Sequence, residues 1–421
     1  MNLSFVQVQN NGNAVWPNAI VIQYPAKENS NGAENMPDVS LIQCRDYTLE
    51  NLKEKIAQSL LNIGFDVKQF NKARVVVKPN LLMPAKEEKA IITHSEFFKA
   101  VVQIVKENNG TPVLVESPAI HSLERVIKKT AYAAVVENEE IEIADPAITR
   151  RLIFDAAKKF KHLDISAAYF DADIILNLPK FKTHGITYMT GAVKLLFGAI
   201  PGVEKSKMHL RAPVHEDFAE FLLDLYGAMT YGLTPPKPIV HIMDAICVQE
   251  GEGPGPAGKP KWLNAVLAGE NGIAVDYVAT MIAGLDIKKA LTVVNGFKRN
   301  YGVSSAKEII VIGDTIQDLH VNDFEPATGS SIFSNMFRWP FNTPTFKNLF
   351  LDRPVPSEEK CTLCYQCKKI CASGAISPSV GKKDIPEYDY KKCIRCYCCL
   401  EICPEAAIKK QSGRLQWIMG G

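Results

Sequence analysis

The chain has no run of about 18 consecutive apolar residues, so nothing in it reads as a membrane-spanning helix. Its first residues, Met1-Asn-Leu-Ser-Phe-Val, lack the basic patch and apolar stretch of an export signal. It also lacks an excess of charge of either sign. The 48 Lys and Arg face 46 Asp and Glu, and a net +2 argues against a dedicated nucleic-acid binder. No G-x-G-x-x-G fingerprint of a nicotinamide or flavin site opens a helix. With 47 % apolar and 22 % charged residues, the composition is that of an ordinary soluble protein. These features lead to an expected cytoplasmic location, with neither a membrane nor nucleic acid as partner.

Cysteine is present in an unusual arrangement. Eight of the eleven cysteines form two near-identical strings close to the end of the chain. The first is Cys361-x2-Cys364-x2-Cys367-x3-Cys371; the second is Cys393-x2-Cys396-x2-Cys399-x3-Cys403, followed by Pro404. Thiolates three residues apart on a tight turn converge on one cubane, and in the bacterial two-cluster pattern the fourth cysteine serves the other cluster. Two [4Fe–4S] clusters are therefore expected. Cys361, Cys364, Cys367 and Cys403 hold one; Cys393, Cys396, Cys399 and Cys371 hold the second. Disulfide frameworks suit small secreted domains, and zinc ribbons lack the third cysteine of each string. Ala372 stands where the pattern has proline after Cys371. Cys398 is expected to be a buried thiol that takes no part in either cluster.

Charge is unevenly divided. Residues 357–421 carry eleven Lys and Arg against seven Asp and Glu, a net +4, which leaves −2 for the remainder. A basic rim around the cysteine loops suits docking on an acidic protein surface.

Upstream, apolar patterning alternates between strand and helix. Residues 5–8 and 19–22 read as a strand pair, and 49–63 as an amphipathic helix. Arg74-Val-Val-Val-Lys-Pro is a buried strand, Thr93 with Glu96 a capping box opening a helix, and Pro112-Val-Leu-Val-Glu the next strand. Helices are expected over 121–137, 147–161, 217–229 and 272–283, and strands at 173–178, 239–244, 265–268 and 308–313. The alternation predicts an α/β domain over 1–318, with a mostly parallel sheet and helices on both faces. An aromatic- and proline-rich connecting arm with Phe333, Phe337, Trp339 and Phe341 spans 319–356. A small ferredoxin-like two-cluster domain spans 357–421.

Several strands end in polar residues: Lys78-Pro79-Asn80, Glu116-Ser117, Pro179-Lys180, Asp244 and Gly313-Asp314. Ligands of open parallel sheets bind beyond the carboxyl ends of strands, so these ends are expected to share one crevice. Residues 179–209 add Lys180, Lys182, Thr183, His184, Lys194, Lys205 and His209 among glycines. Lysines beside glycine turns suit a carboxylate or phosphate, and histidines exchange protons near neutral pH. Lys78, Asn80, Lys180, Lys182, Thr183, Lys194 and Lys205 are the candidate substrate-binding residues. His184, His209, Glu116 and Asp244 are the candidate catalytic ones. The segment Glu250-Gly-Glu-Gly-Pro-Gly-Pro-Ala-Gly258 reads as a stiff wall or lid of the same crevice.

Lys78-Pro79-Asn80, Pro179-Lys180-Phe-Lys182-Thr183-His184, Thr190-Gly191-Ala-Val-Lys194, Gly251-Glu252-Gly253-Pro254 and the eight cysteines together carry a family likeness. The chain resembles the widespread uncharacterised iron–sulfur-centre proteins, a domain of unknown function often fused to a bacterial two-cluster ferredoxin. The resemblance covers about residues 70–320 and the tail. It implies cluster binding and names no substrate. The leading expectation is an oxidoreductase that takes low-potential electrons from a redox partner protein and passes them to an anionic small molecule in the crevice. The alternatives are a non-catalytic electron carrier or docking adaptor, and a metal- or cluster-handling protein using His184, His209, Glu116 and Asp244.

Overall fold

A computed structural model describes residues 38–328, 343–379 and 385–415. The first strand pair and the four aromatic residues of the arm lie outside the described residues. The centre of the sheet is β2 (Arg74–Pro79), whose valines alternate between two cores: Val75 and Val77 face one, Val76 the other. Around it stand β1 (Asp38–Gln43), β3 (Thr111–Leu114), β4 (Glu142–Ile143), β7 (Ile174–Leu178), β10 (Ile239–Gly251), β11 (Gly258–Gly269) and β12 (Ile310–Gly313). The order is β12-β1-β11-β10-β7-β2-β3-β4, and all neighbours are parallel except the pairs made by β11. Between β4 and β7 a separate antiparallel pair, β5 (Thr149–Ile153) and β6 (His162–Ser166), stands off this sheet. Two short strands, β8 (Lys180–His184) and β9 (Tyr188–Thr190), extend the sheet from β10. Helices Leu49–Asn62 and Ser95–Glu107 cover one face; His215–Tyr231 and Gly272–Ile282 cover the other. The expected α/β class with a mostly parallel sheet is the observed one.

Several local expectations are corrected. Residues 147–161 are not a helix, because the turn before Phe160 is held by a distant acid. Asp224 accepts the backbone N–H groups of Lys158, Lys159 and Phe160 at 2.9–3.0 Å. The helix expected to open at Thr93 is capped instead by His94, whose ring accepts from Glu96 N. Thr93 is used elsewhere: its hydroxyl donates to the Leu178 carbonyl. Asp244 does not end its strand, since β10 runs on to Gly251 and returns as β11. The glycine- and proline-rich segment is thus a hairpin tip. Residues 202–211 form a helix.

The cysteine-rich region begins slightly earlier than expected. β13 (Arg353–Pro356) pairs with β16 (Ile408–Gln411), so the two prolines belong to an edge strand. β14 (Ile376–Ser377) and β15 (Glu387–Tyr388) form a second ribbon. Two short helices, Gln366–Ile370 and Cys398–Ile402, each carry the third cysteine of a string and end just before the fourth. Among the described residues no helix is long and apolar enough to cross a membrane.

Candidate functional site

β8 sets out the site. Alternation puts Lys180, Lys182 and His184 on one side of the strand, and every residue of β8 is buried. Each cation then meets a partner from another element. Lys180 Nζ donates to Asp244 Oδ2 at 2.7 Å and to the Tyr47 hydroxyl at 2.9 Å. Tyr47 in turn donates to Asp244 Oδ1 at 2.8 Å and stacks on the His94 ring. Lys182 Nζ donates to Asn80 Oδ1 at 2.7 Å and to the Ile91 carbonyl at 2.6 Å. Thr183 donates to the Gly251 carbonyl at the hairpin tip.

A second network stands at the ends of β2 and β3. Lys78 pairs with Glu116, both fully enclosed, and Lys205 approaches Glu116 at 3.7 Å while donating to the Ser117 carbonyl. Gly198 is required beside this pair, because a Cβ there would overlap the ends of both side chains. Val240, Ile242 and Ile246 put the Asp244 face of β10 in one core, whereas Val76 puts the Lys78 face of β2 in the other. The strand ends therefore lie along one edge of the sheet but divide between its faces. The expected single crevice resolves into two charge networks and a cavity. Asp314 is in neither, since it accepts from Gln43 N at 2.5 Å on the far strands.

The cavity, about 100 Å³, is lined by six of the candidate residues: Asn80, Glu116, His184, Lys194, Lys205 and His209. Lys78, Lys180, Lys182, Thr183 and Asp244 stand behind the wall or away from it. Cys398 and Glu401, from the helix of the second cysteine string, close the cavity opposite. His184 Nδ1 accepts the N–H groups of Ile186 and Thr187, so its proton sits on Nε2 and points to Glu401 Oε1 at 3.2 Å. Gly255 at the hairpin tip lies against the Glu401 backbone, and Lys410 pairs with Glu252 at 2.9 Å. Asp276 accepts from Ala192 N and Val193 N and so fixes the Gly191 turn that carries Lys194.

Burial governs the protonation states. It holds His184 well below the usual histidine range, helped by Lys194, and pushes His209 down to about 3. Neither ring carries a second proton near neutral pH, so the expected proton-donating role does not suit them as imidazolium. Burial lowers Lys194, opposed by Glu401, and lowers Lys205 to about 8, opposed by Glu116. Asp244 stands apart from His184, His209 and Glu116, so these four do not form the set a metal-handling role requires. Among the described residues no three His, Cys, Asp or Glu side chains close on a single ion.

The thiols are all unpaired with one another. Cys361, Cys364, Cys367 and Cys403 line one small hollow together with Tyr388, and Cys364 is exposed. Burial raises the Cys399 thiol well above its ordinary value, helped by the neighbouring Cys396, Cys393, Cys367 and Cys371. The two strings also share a backbone signature. Leu363 and Tyr365 in the first, and Arg395 and Tyr397 in the second, have φ between +53° and +64° at equivalent positions.

A family described as a domain of unknown function (DUF362) matches residues 75–281. A thylakoid-associated protein of Synechocystis sp. (strain ATCC 27184 / PCC 6803 / Kazusa) is 33 % identical over 251 residues, 59 % of this chain and 75 % of the relative. The chain belongs to the DUF362 family. The matched segment holds β2, β8, β10 and the Gly191–Lys194 turn, and ends before the cysteine strings. Among solved structures, the apoprotein of a lactate racemase from Thermoanaerobacterium thermosaccharolyticum gives a TM-score of 0.37 at 14 % identity. That likeness covers 58 % of this chain and 56 % of the other, so the chain spans little more than half of that neighbour. Tyr47, Asp276 and Glu401 carry no motif that marks them in the sequence as site residues. Asp276 carries a signal, being the lone acid of an otherwise apolar helix.

Proposed function

We propose that this DUF362 protein is a cytoplasmic iron–sulfur oxidoreductase that delivers electrons to an anionic substrate in the cavity. One observation carries the reading: the helix bearing Cys398 and Cys399 is itself a wall of the cavity that Lys194 and His184 also line. An adaptor needs no cavity lined by lysines and histidines at that junction. Cys361, Cys364, Cys367 and Cys403 would hold one [4Fe–4S] cluster; Cys393, Cys396, Cys399 and Cys371 would hold the other. The fit is supported by the shared hollow of the first set and by the repeated left-handed positions. Turns of that kind aim successive N–H groups at an anionic centre. When bound, the clusters supply single electrons at low potential.

The chain's own residues do the rest. Lys194 and Lys205, both lining the cavity, would hold the anion, and burial lowers Lys205 to about 8, so it can release a proton not far above neutral pH. Apolar Phe197, Ile370 and Ile402 exclude water. Cys364 leaves one edge of the first set open to a redox partner protein. Anaerobically isolated protein should contain about eight iron and eight sulfide. Cys396→Ser should lose about half or more of the iron, and Cys398→Ser almost none. Chemically reduced protein should be reoxidised faster when a cavity ligand is supplied. Zinc without sulfide, or reoxidation that never depends on Lys194, would overturn the reading.

A further inference from the structure

Of the lysines named at the site, all but one have a partner. Lys78 and Lys205 share Glu116, Lys180 has Asp244, and Lys182 has Asn80 and the Ile91 carbonyl. Lys194 lines the cavity and has no hydrogen-bond or ion-pair partner among the described residues. Basic and acidic side chains around the space are also unequal in number. Lys194 and Lys205 line it with Glu116 and Glu401, and Lys78 and Lys182 stand just behind the wall, so lysines outnumber carboxylates by two. Donors converge as well. A lysine ammonium can only donate, so the atom of Asn80 that meets Lys182 is the amide oxygen. The Asn80 amide N–H groups remain for a ligand.

The geometry points to a binding site for a compact oxyanion bearing two negative charges, with Lys194 as its anchor and Lys205 and Asn80 as the flanking donors. The space sets the size. An apolar cavity of about 150 Å³ accepts benzene. At about 100 Å³, this one suits a ligand of roughly four to six heavy atoms. A planar dicarboxylate and a tetrahedral phosphate share the required chemistry. This inference deepens the proposed function, since it names the class of anion for the same cavity, but it does not depend on electron transfer.

The test is titration calorimetry on the full, iron-loaded chain with oxalate, inorganic phosphate, acetate and citrate. At least one of oxalate and phosphate should bind. Acetate should bind about tenfold more weakly or less, and citrate should be excluded by size. The better of the two dianions tells the planar from the tetrahedral source. Lys194→Met should weaken binding by about tenfold to a hundredfold, and Lys194→Arg by only a few fold. Should Lys194→Met fail to accumulate, Lys205→Met tests the opposite wall with the same expectation. The inference is overturned if neither dianion binds, if acetate or citrate binds as well, or if Lys194→Met binds like the parent. If a dianion binds but leaves reoxidation of the reduced protein unchanged, the binding site stands and the electron-delivery reading fails.

Discussion

Replacing Glu116 by glutamine tests the ion network directly. The side chain of Lys78 is 0 % exposed and that of Glu116 is 5 % exposed, so water cannot take over either charge. Glu116→Gln keeps the shape and removes the counter-charge, leaving the Lys78 ammonium enclosed. Removing one member of a buried pair costs about 3–5 kcal/mol. A domain of ordinary stability holds about 5–15 kcal/mol, so about a fifth or more would be lost. Lys78→Met should cost less, because Glu116 keeps Lys205 at 3.7 Å and the Ser117 N–H at 2.7 Å. The double variant Lys78→Met/Glu116→Gln removes both charges and should regain much of the loss, a coupling of about 1–3 kcal/mol. Urea denaturation followed by circular dichroism measures all four corners of the cycle. A cost below about 1 kcal/mol for Glu116→Gln, or no recovery in the double variant, would refute the reasoning.

Two further outcomes follow from the same site. Lys205 is pushed down to about 8 by burial, against the pull of Glu116, so anion affinity should hold below that pH and fall above it. The same group burdens the fold below about pH 8, where its charge must be buried. The burden should lift as pH rises towards the ordinary value of 10.5, because the unfolded chain then binds more protons than the folded one. Calorimetric affinity and urea midpoints measured between those pH values check both signs. Gly255→Leu would drive a side chain into the Glu401 backbone, whose Cα lies 2.8 Å from the added Cβ position. It should loosen the Cys398–Ile402 helix and raise proteolysis between residues 343 and 415, while helix content upstream stays unchanged. Equal proteolysis of parent and variant would count against that contact.

Much of the sheet was legible because its strands are short valine and isoleucine runs between turn residues. β2 matched its expected bounds for that reason. The errors have physical causes at long range. Ala156-Ala157-Lys158-Lys159 reads as helical until Asp224, more than 60 residues away in sequence, claims the backbone N–H groups there. β8 does not stand out as a strand in the sequence because Lys180, Lys182 and His184 are polar. It is a buried strand only because Asp244, Asn80 and Glu401 meet them from three separate elements. The cavity residues Lys194 and Lys205 were visible as lysines beside glycines, whereas the division of strand ends between two faces depends on register. Glu401 was hidden among the cysteines that flank it.

The four left-handed residues in the cysteine strings have a bearing on assembly. A non-glycine residue held there costs about 1 kcal/mol or more, so Leu363, Tyr365, Arg395 and Tyr397 together tax the small region by several kcal/mol. With the proposed clusters as the compensating partner, metal loading and folding of this region would become one event. The helix carrying Cys398 and Glu401 would then take up its position only after iron had been delivered. An iron-starved cell would hold chains whose cavity has one wall missing, and the anion site would be completed only in molecules already equipped to act on what they bind.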